Sequence, residues 1–159
     1  MSAIVWLANK HTLLVHLPVA AAILIPLPII AAQRVGRGIR PWWVTCRYLA
    51  WAGFIGSFLA LASGCVAARN LGLLAPGFWA APQPGLPYLF RIHAALGLAA
   101  LLLGTACLRS LYRDRHEHQG IGLAALLLAL LWGASALAGA YSGPFLAGRT
   151  QAPAQLLGK

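Results

Sequence analysis

Five histidines, His11, His16, His93, His116 and His118, carry most of the chemistry available to this 159-residue sequence. An imidazole can ligate a metal, exchange a proton, or hold a hydrogen bond between segments. His11, His16 and His93 lie in or at the mouth of long apolar runs, where an ionisable group is costly and is functional by default. His116 and His118 fall in RDRHEHQG, a charged stretch that a solvated turn explains adequately. Their His-x-His spacing alone is a weak metal signal. Cysteine adds little: Cys46, Cys65 and Cys107 are an odd number, no CxxCH is present for covalent haem, and all three read as small buried apolar residues.

The spacing of the three membrane histidines sets what they can do together. Asn9 is a suitable N-cap for the first helix, and Leu86 precedes Pro87 in the favoured first turn of the third. His16 and His93 each follow those starts by seven residues, which places both rings at similar depth, ~10 Å along helices that rise 1.5 Å per residue. His11 precedes His16 by five residues, so it lies about 140° round the helix and about 7.5 Å higher; the two cannot share a face. The pair expected to face each other is therefore His16 and His93, an arrangement that suits the axial positions of a haem b inside a helix bundle. Gly97, Ala100 and Gly104 run down the His93 face, Ala20 lies a turn below His16, and Ala52, Gly56, Ala60 and Gly64 form a stripe in the second run. Close helix packing explains that second-run stripe by itself. Arg69 is the first choice to meet haem propionates, with Lys10 and His11 behind it, while Arg91 is expected to reach outward.

The elements that must position these residues are four apolar runs, at about 11–32, 44–66, 88–108 and 120–141. Each is long enough to cross a hydrocarbon core of about 30 Å as a helix. The whole chain is 60% hydrophobic and 9% charged, against about 45–50% and about 25% in soluble domains. That composition excludes a water-soluble enzyme, a disordered tail and a secreted disulfide scaffold. Short connections make neighbouring helices antiparallel, so the expected fold is all-α, an integral membrane four-helix up-down-up-down bundle in a single membrane domain. Pro18, Pro26 and Pro28 read as bends in the first helix. An irregular tail is expected over 142–159. MSAIVWLAN carries no basic segment before its apolar run and does not read as a cleaved signal.

The net charge of +10 is mainly a topology label and not a nucleic-acid signature. Seven of the 12 Lys and Arg residues, Arg34, Arg37, Arg40, Arg47, Arg109, Arg113 and Arg115, belong to the first and third connections. The positive-inside rule puts those connections in the cytoplasm, and both termini and the Pro-rich second connection outside. The stretch from Arg34 to Trp43 interleaves arginine and tryptophan and suits contact with anionic lipid.

HTLLVHLPVA in the first run resembles the His-x4-His-Phe-Pro signature of a bacterial four-helix membrane family of unknown function. FRIHAALGLAALLL in the third run is similar to that family's His-Ala-x-Leu-Gly stretch. The resemblance carries His11, His16, Pro18, His93 and Gly97, and it implies haem b by similarity to four-helix membrane cytochromes. Thr12 stands where that family has proline and Leu17 where it has phenylalanine. Gly139-Ala140-Tyr141-Ser142-Gly143 replaces its Gly-His-x-Gly-Gly, so no fourth-helix histidine is present.

Three functions follow as expectations. The first is an electron-transfer subunit of the bacterial inner membrane, with one bis-His haem b near the outer face. It would relay electrons between quinol or a periplasmic redox partner and a larger membrane complex. The second is a cofactor-free structural accessory subunit of a respiratory or photosynthetic complex, with a variant in which one histidine ligates a bacteriochlorophyll. The third is a copper or zinc site on His11, His16 and His93, which their angular offset opposes. The helices contain no carboxylate, which argues against a proton pump.

Overall fold

The structure, a computed structural model, describes residues 10–35, 40–70, 86–116 and 121–156, with side chains described for 10–34, 41–70, 88–113 and 121–143. It is an all-α bundle of four apolar spans: His11–Arg34, Pro41–Asn70, Tyr88–Arg113 and Leu123–Gly143. The first span is two helices, α1 (His11–Leu24) and α2 (Pro26–Val35). The others are α3 (Arg40–Asn70), α4 (Leu86–His116) and α5 (Leu123–Leu156). Each span packs on its neighbour in sequence, and α5 closes the ring against α1 and α2. Length and composition thus fit four membrane crossings, as the apolar runs imply.

Proline accounts for the division of the first span. Pro26 and Pro28 have no N–H, so the carbonyls a turn behind them lose their helical partners at the point where α1 gives way to α2. Ile25 between the helices keeps helical dihedrals, and its N–H still reaches Ala21 O at 3.0 Å. Pro18 remains inside α1 and is buried. A Cβ at Gly56 of α3 would stand 2.8 Å from Pro18 Cδ, so that glycine is the seat of the proline ring.

The middle of the bundle is filled by Trp132 of α5, which is 0% exposed. Its ring lies against two glycines on two other helices. A Cβ at Gly104 would be 3.0 Å from Trp132 Cε2, and one at Gly53 would collide with the ring and come within 2.9 Å of Ala21 Cβ. Small residues here make room for one large one, the packing mode expected where lipid offers no hydrophobic drive between helices. Ile25, Ile29, Leu111, Cys46 and Cys107 complete the fully buried core toward the other end, where Cys107 Sγ points at Ala125 O, 3.8 Å away.

Several boundaries differ from the sequence reading. The last helix does not stop at Tyr141 but continues to Leu156, so the segment expected to be irregular is helical over most of its length. Ala147, Arg149, Gln151, Ala152, Ala154, Gln155 and Leu156 are good helix formers set against Gly148 and Pro153, and propagating an existing helix needs no new nucleus. The helix ends at 40–70 and 86–116 overrun the apolar runs because a helix does not stop at the lipid boundary. Cys65 is exposed, not buried. The Asn9 cap, the second connection (71–85) and the His116–His118 side chains lie outside the described residues. Lys10 occupies the N-cap position of α1 and makes no side-chain cap hydrogen bond.

Candidate functional site

Helical periodicity decides which α1 histidine enters the bundle. His11, Leu14, Val15, Pro18, Val19, Ala21, Ala22 and Ile25 are the buried or half-buried positions, while Thr12, Leu13, His16, Leu17, Ala20, Ile23 and Leu24 are exposed. These two sets are the two faces of one 3.6-residue helix. His16 is therefore on the outer surface, where its Nδ1 donates back to the Thr12 carbonyl at 2.7 Å. Ala20, one turn deeper, is exposed beside it. The expected facing of His16 and His93 does not occur. The mutual exclusion of His11 and His16 holds, but the inward place goes to His11.

His11 and His93 meet at the end of the bundle where α1 and α4 begin. Their ring centroids are 6.2 Å apart and their planes are inclined by 79°. Each ring is anchored by a serine on a third or fourth helix. Ser63 of α3 donates to Ala60 O at 2.9 Å, so its oxygen accepts from His11 Nδ1–H at 2.8 Å. Ser142 of α5 donates to Gly139 O at 2.8 Å, so it accepts from His93 Nδ1–H at 2.9 Å. Gly139 O itself lies 3.1 Å from that same nitrogen. The two sites repeat one device, a serine satisfied by the carbonyl three residues before it and presenting its oxygen to an imidazole.

With both serine hydroxyls donating to carbonyls, this network favours a hydrogen on each Nδ1. With the hydrogen on Nδ1, each Nε2 keeps its lone pair, and no described residue hydrogen-bonds to either Nε2. A metal-ligating histidine has this form: one nitrogen donating to an oxygen, the other free to bind. The two rings stand 6.2 Å apart between centroids, and His11 and His93 are the residues that would hold such a metal group.

The surroundings restrict what could be bound. Among the described residues no group of three or more His, Cys, Asp or Glu converges, so a bare zinc ion would lack its ligand set. Glycine adjoins both rings: a Cβ on Gly64 would sit 3.1 Å from His11 Cε1, and one on Gly143 would sit 3.7 Å from His93 Cε1. Gly97 is looser, its added Cβ meeting only Leu61 Cδ1 at 3.9 Å. The cations at this end are Lys10 and Arg69, both exposed, and Arg91, which is half-buried.

Sequence reasoning named His11, His93, Gly97 and Arg69 but passed over Ser63, Ser142, Gly143 and Trp132. The serines carried a readable signal, since a hydroxyl at the outer end of an apolar helix has to find a partner. Comparison with protein families, curated proteins and solved structures returns no match to this chain.

Proposed function

We propose that the chain is a membrane-embedded electron-transfer subunit that holds one haem b between His11 of α1 and His93 of α4. The observation that carries this reading is the pair of Nδ1-anchored imidazoles, 6.2 Å between centroids, each with an unengaged Nε2. A haem iron needs only two axial ligands from the protein, so a two-histidine site suits it where it would not suit a bare ion. When bound, haem b supplies a one-electron iron couple. Ser63 and Ser142 would hold the ring planes and increase ligand basicity through Nδ1. Arg69 and Lys10 offer cations at the same end for propionates.

The positive-inside balance supports an outer-face position for this end of the bundle, in a bacterial inner membrane on this reading. One site near one surface cannot by itself carry an electron across about 30 Å of hydrocarbon. The relay then runs along the outer face, between quinol or a periplasmic redox protein and a larger membrane complex.

One observation favours a second reading, a cofactor-free accessory subunit. The same bonds tie α1 to α3 and α4 to α5, and Ser135 adds a further tie from α5 to Leu96 O at 3.0 Å. Buried polar groups on membrane helices do serve packing alone. A visible spectrum of the purified protein, oxidised and dithionite-reduced, separates the two. A sharp reduced α-band lost in both His11→Ala and His93→Ala supports haem ligation; a colourless folded protein from haem-replete cells refutes it.

A further inference from the structure

The opposite end of the bundle, away from the histidines, carries a second built arrangement. Arg47 of α3 is half-buried, and its guanidinium carbon lies 5.1 Å from the Trp43 ring, 5.9 Å from Tyr112 and 6.0 Å from Tyr48. The three rings are themselves fixed in part by other bonds. Trp43 Nε1–H donates to Leu111 O at 3.2 Å, and Trp43 meets Tyr112 edge-on with centroids 6.4 Å apart. Tyr112 Oη accepts from Trp51 Nε1–H at 3.1 Å. The cage thus joins α3 to α4, and the exposed Arg109 and Arg113 flank Tyr112 on α4, charges that belong at an interface and not in hydrocarbon. That places it at the membrane boundary.

Aromatic faces attract a cation without using its hydrogen-bond donors. Arg47 makes no hydrogen bond or ion pair with any described residue, so its five N–H donors stay available. A guanidinium held among aromatic rings with its donors available suits a phosphate, which it can bind through two parallel hydrogen bonds. The surrounding charge selects an anionic partner. Arg109 and Arg113, on α4 with the cage's Tyr112, are exposed at the same end, and the chain has only two acidic residues in all. Below the cage, Tyr48, Trp51, Ile55 and Phe58 form an exposed apolar row on α3. Ten residues of helix cover ~15 Å, about half of a ~30 Å hydrocarbon core, the depth of one leaflet.

We propose that this cage is a binding site for one anionic phospholipid, its headgroup phosphate on the Arg47 fork and an acyl chain along Tyr48, Trp51, Ile55 and Phe58. The site is independent of whether the histidines hold haem. Native mass spectrometry tests it on the full-length protein in micelles containing equal phosphatidylglycerol and phosphatidylcholine. The wild type should retain phosphatidylglycerol over phosphatidylcholine by about tenfold. Arg47→Lys keeps the charge and the aromatic contact but loses the fork, and should lose most of that preference while its helical circular dichroism is unchanged. Arg34→Ala, a cation at the same end with no part in the cage, should keep the preference. Millimolar inorganic phosphate should leave the lipid in place. Equal retention of both lipids, an unaltered preference in Arg47→Lys, an Arg34→Ala loss as large as that of Arg47→Lys, or displacement by free phosphate would each overturn the proposal.

Discussion

At the residue scale, the informative contrast is between two histidines five positions apart on one helix. His11 and His16 both donate from Nδ1, one to a serine on another helix and one to its own backbone. Only His11 has its ring inside the bundle. Under the haem reading, His16→Ala therefore leaves the reduced α-band within experimental error of wild type, whereas His11→Ala and His93→Ala abolish it. An unchanged band in His11→Ala would transfer the ligand role elsewhere. Removing one serine removes an anchor but not a ligand. Ser142→Ala should retain the band while weakening haem retention by about 10- to 100-fold, as loss of a partner behind a ligating histidine commonly does. Gly139 O stays as a second acceptor 3.1 Å from His93 Nδ1. Ala60 O is the corresponding backbone acceptor beside His11, so Ser63→Ala should weaken haem retention to a similar extent. Haem transfer to apomyoglobin measures both.

At the element scale, the bundle rests on exchanges of size between helices. Trp132 from α5 takes the space left by Gly53 on α3 and Gly104 on α4, and Pro18 from α1 takes the space at Gly56. These contacts set how closely the helices approach, and so how far apart His11 and His93 stand. Gly53→Ala puts a methyl group into a ring on an α-helix that cannot easily move, and should destabilise the fold by about 1–3 kcal/mol. Trp132→Ala empties the centre and should cost about 3–5 kcal/mol. Thermal unfolding in detergent reads both, and the double variant should cost less than the sum because the two residues touch.

At the scale of the whole molecule, charge separates the ends. The histidine end and the Arg47 cage lie at opposite ends of the spans, and Arg34, Arg109 and Arg113 lie with the cage. The orientation proposed above predicts that a cysteine at Gln83 reacts with an impermeant maleimide added to intact spheroplasts. A cysteine at Arg37 should react only after lysis, with the native cysteines replaced in both. Reversed labelling would place the histidine end in the cytoplasm and turn the electron relay to the inner face.

Four spans, their antiparallel order and the incompatibility of His11 with His16 were all legible in the sequence. Span length follows from the thickness of hydrocarbon, and the angular offset from a fixed 100° per residue. Which of the two histidines turns inward was not legible, because a membrane helix is apolar on every side and hydropathy does not mark its buried face. Pro18, Ala21 and Ala22 share that face with His11, but only contact with α3 and α5 made it the inner one. Axial stagger was hidden for the same reason: counting residues from Asn9 and Leu86 assumes that two helices start level, whereas His11, at the first turn of α1, is the residue that lies beside His93. The helical continuation to Leu156 escaped a reading that ended the helix where the apolar run ended. Chemistry could be read from residue types one at a time; the pairing of His11, Ser63, His93 and Ser142 exists only once four helices are packed.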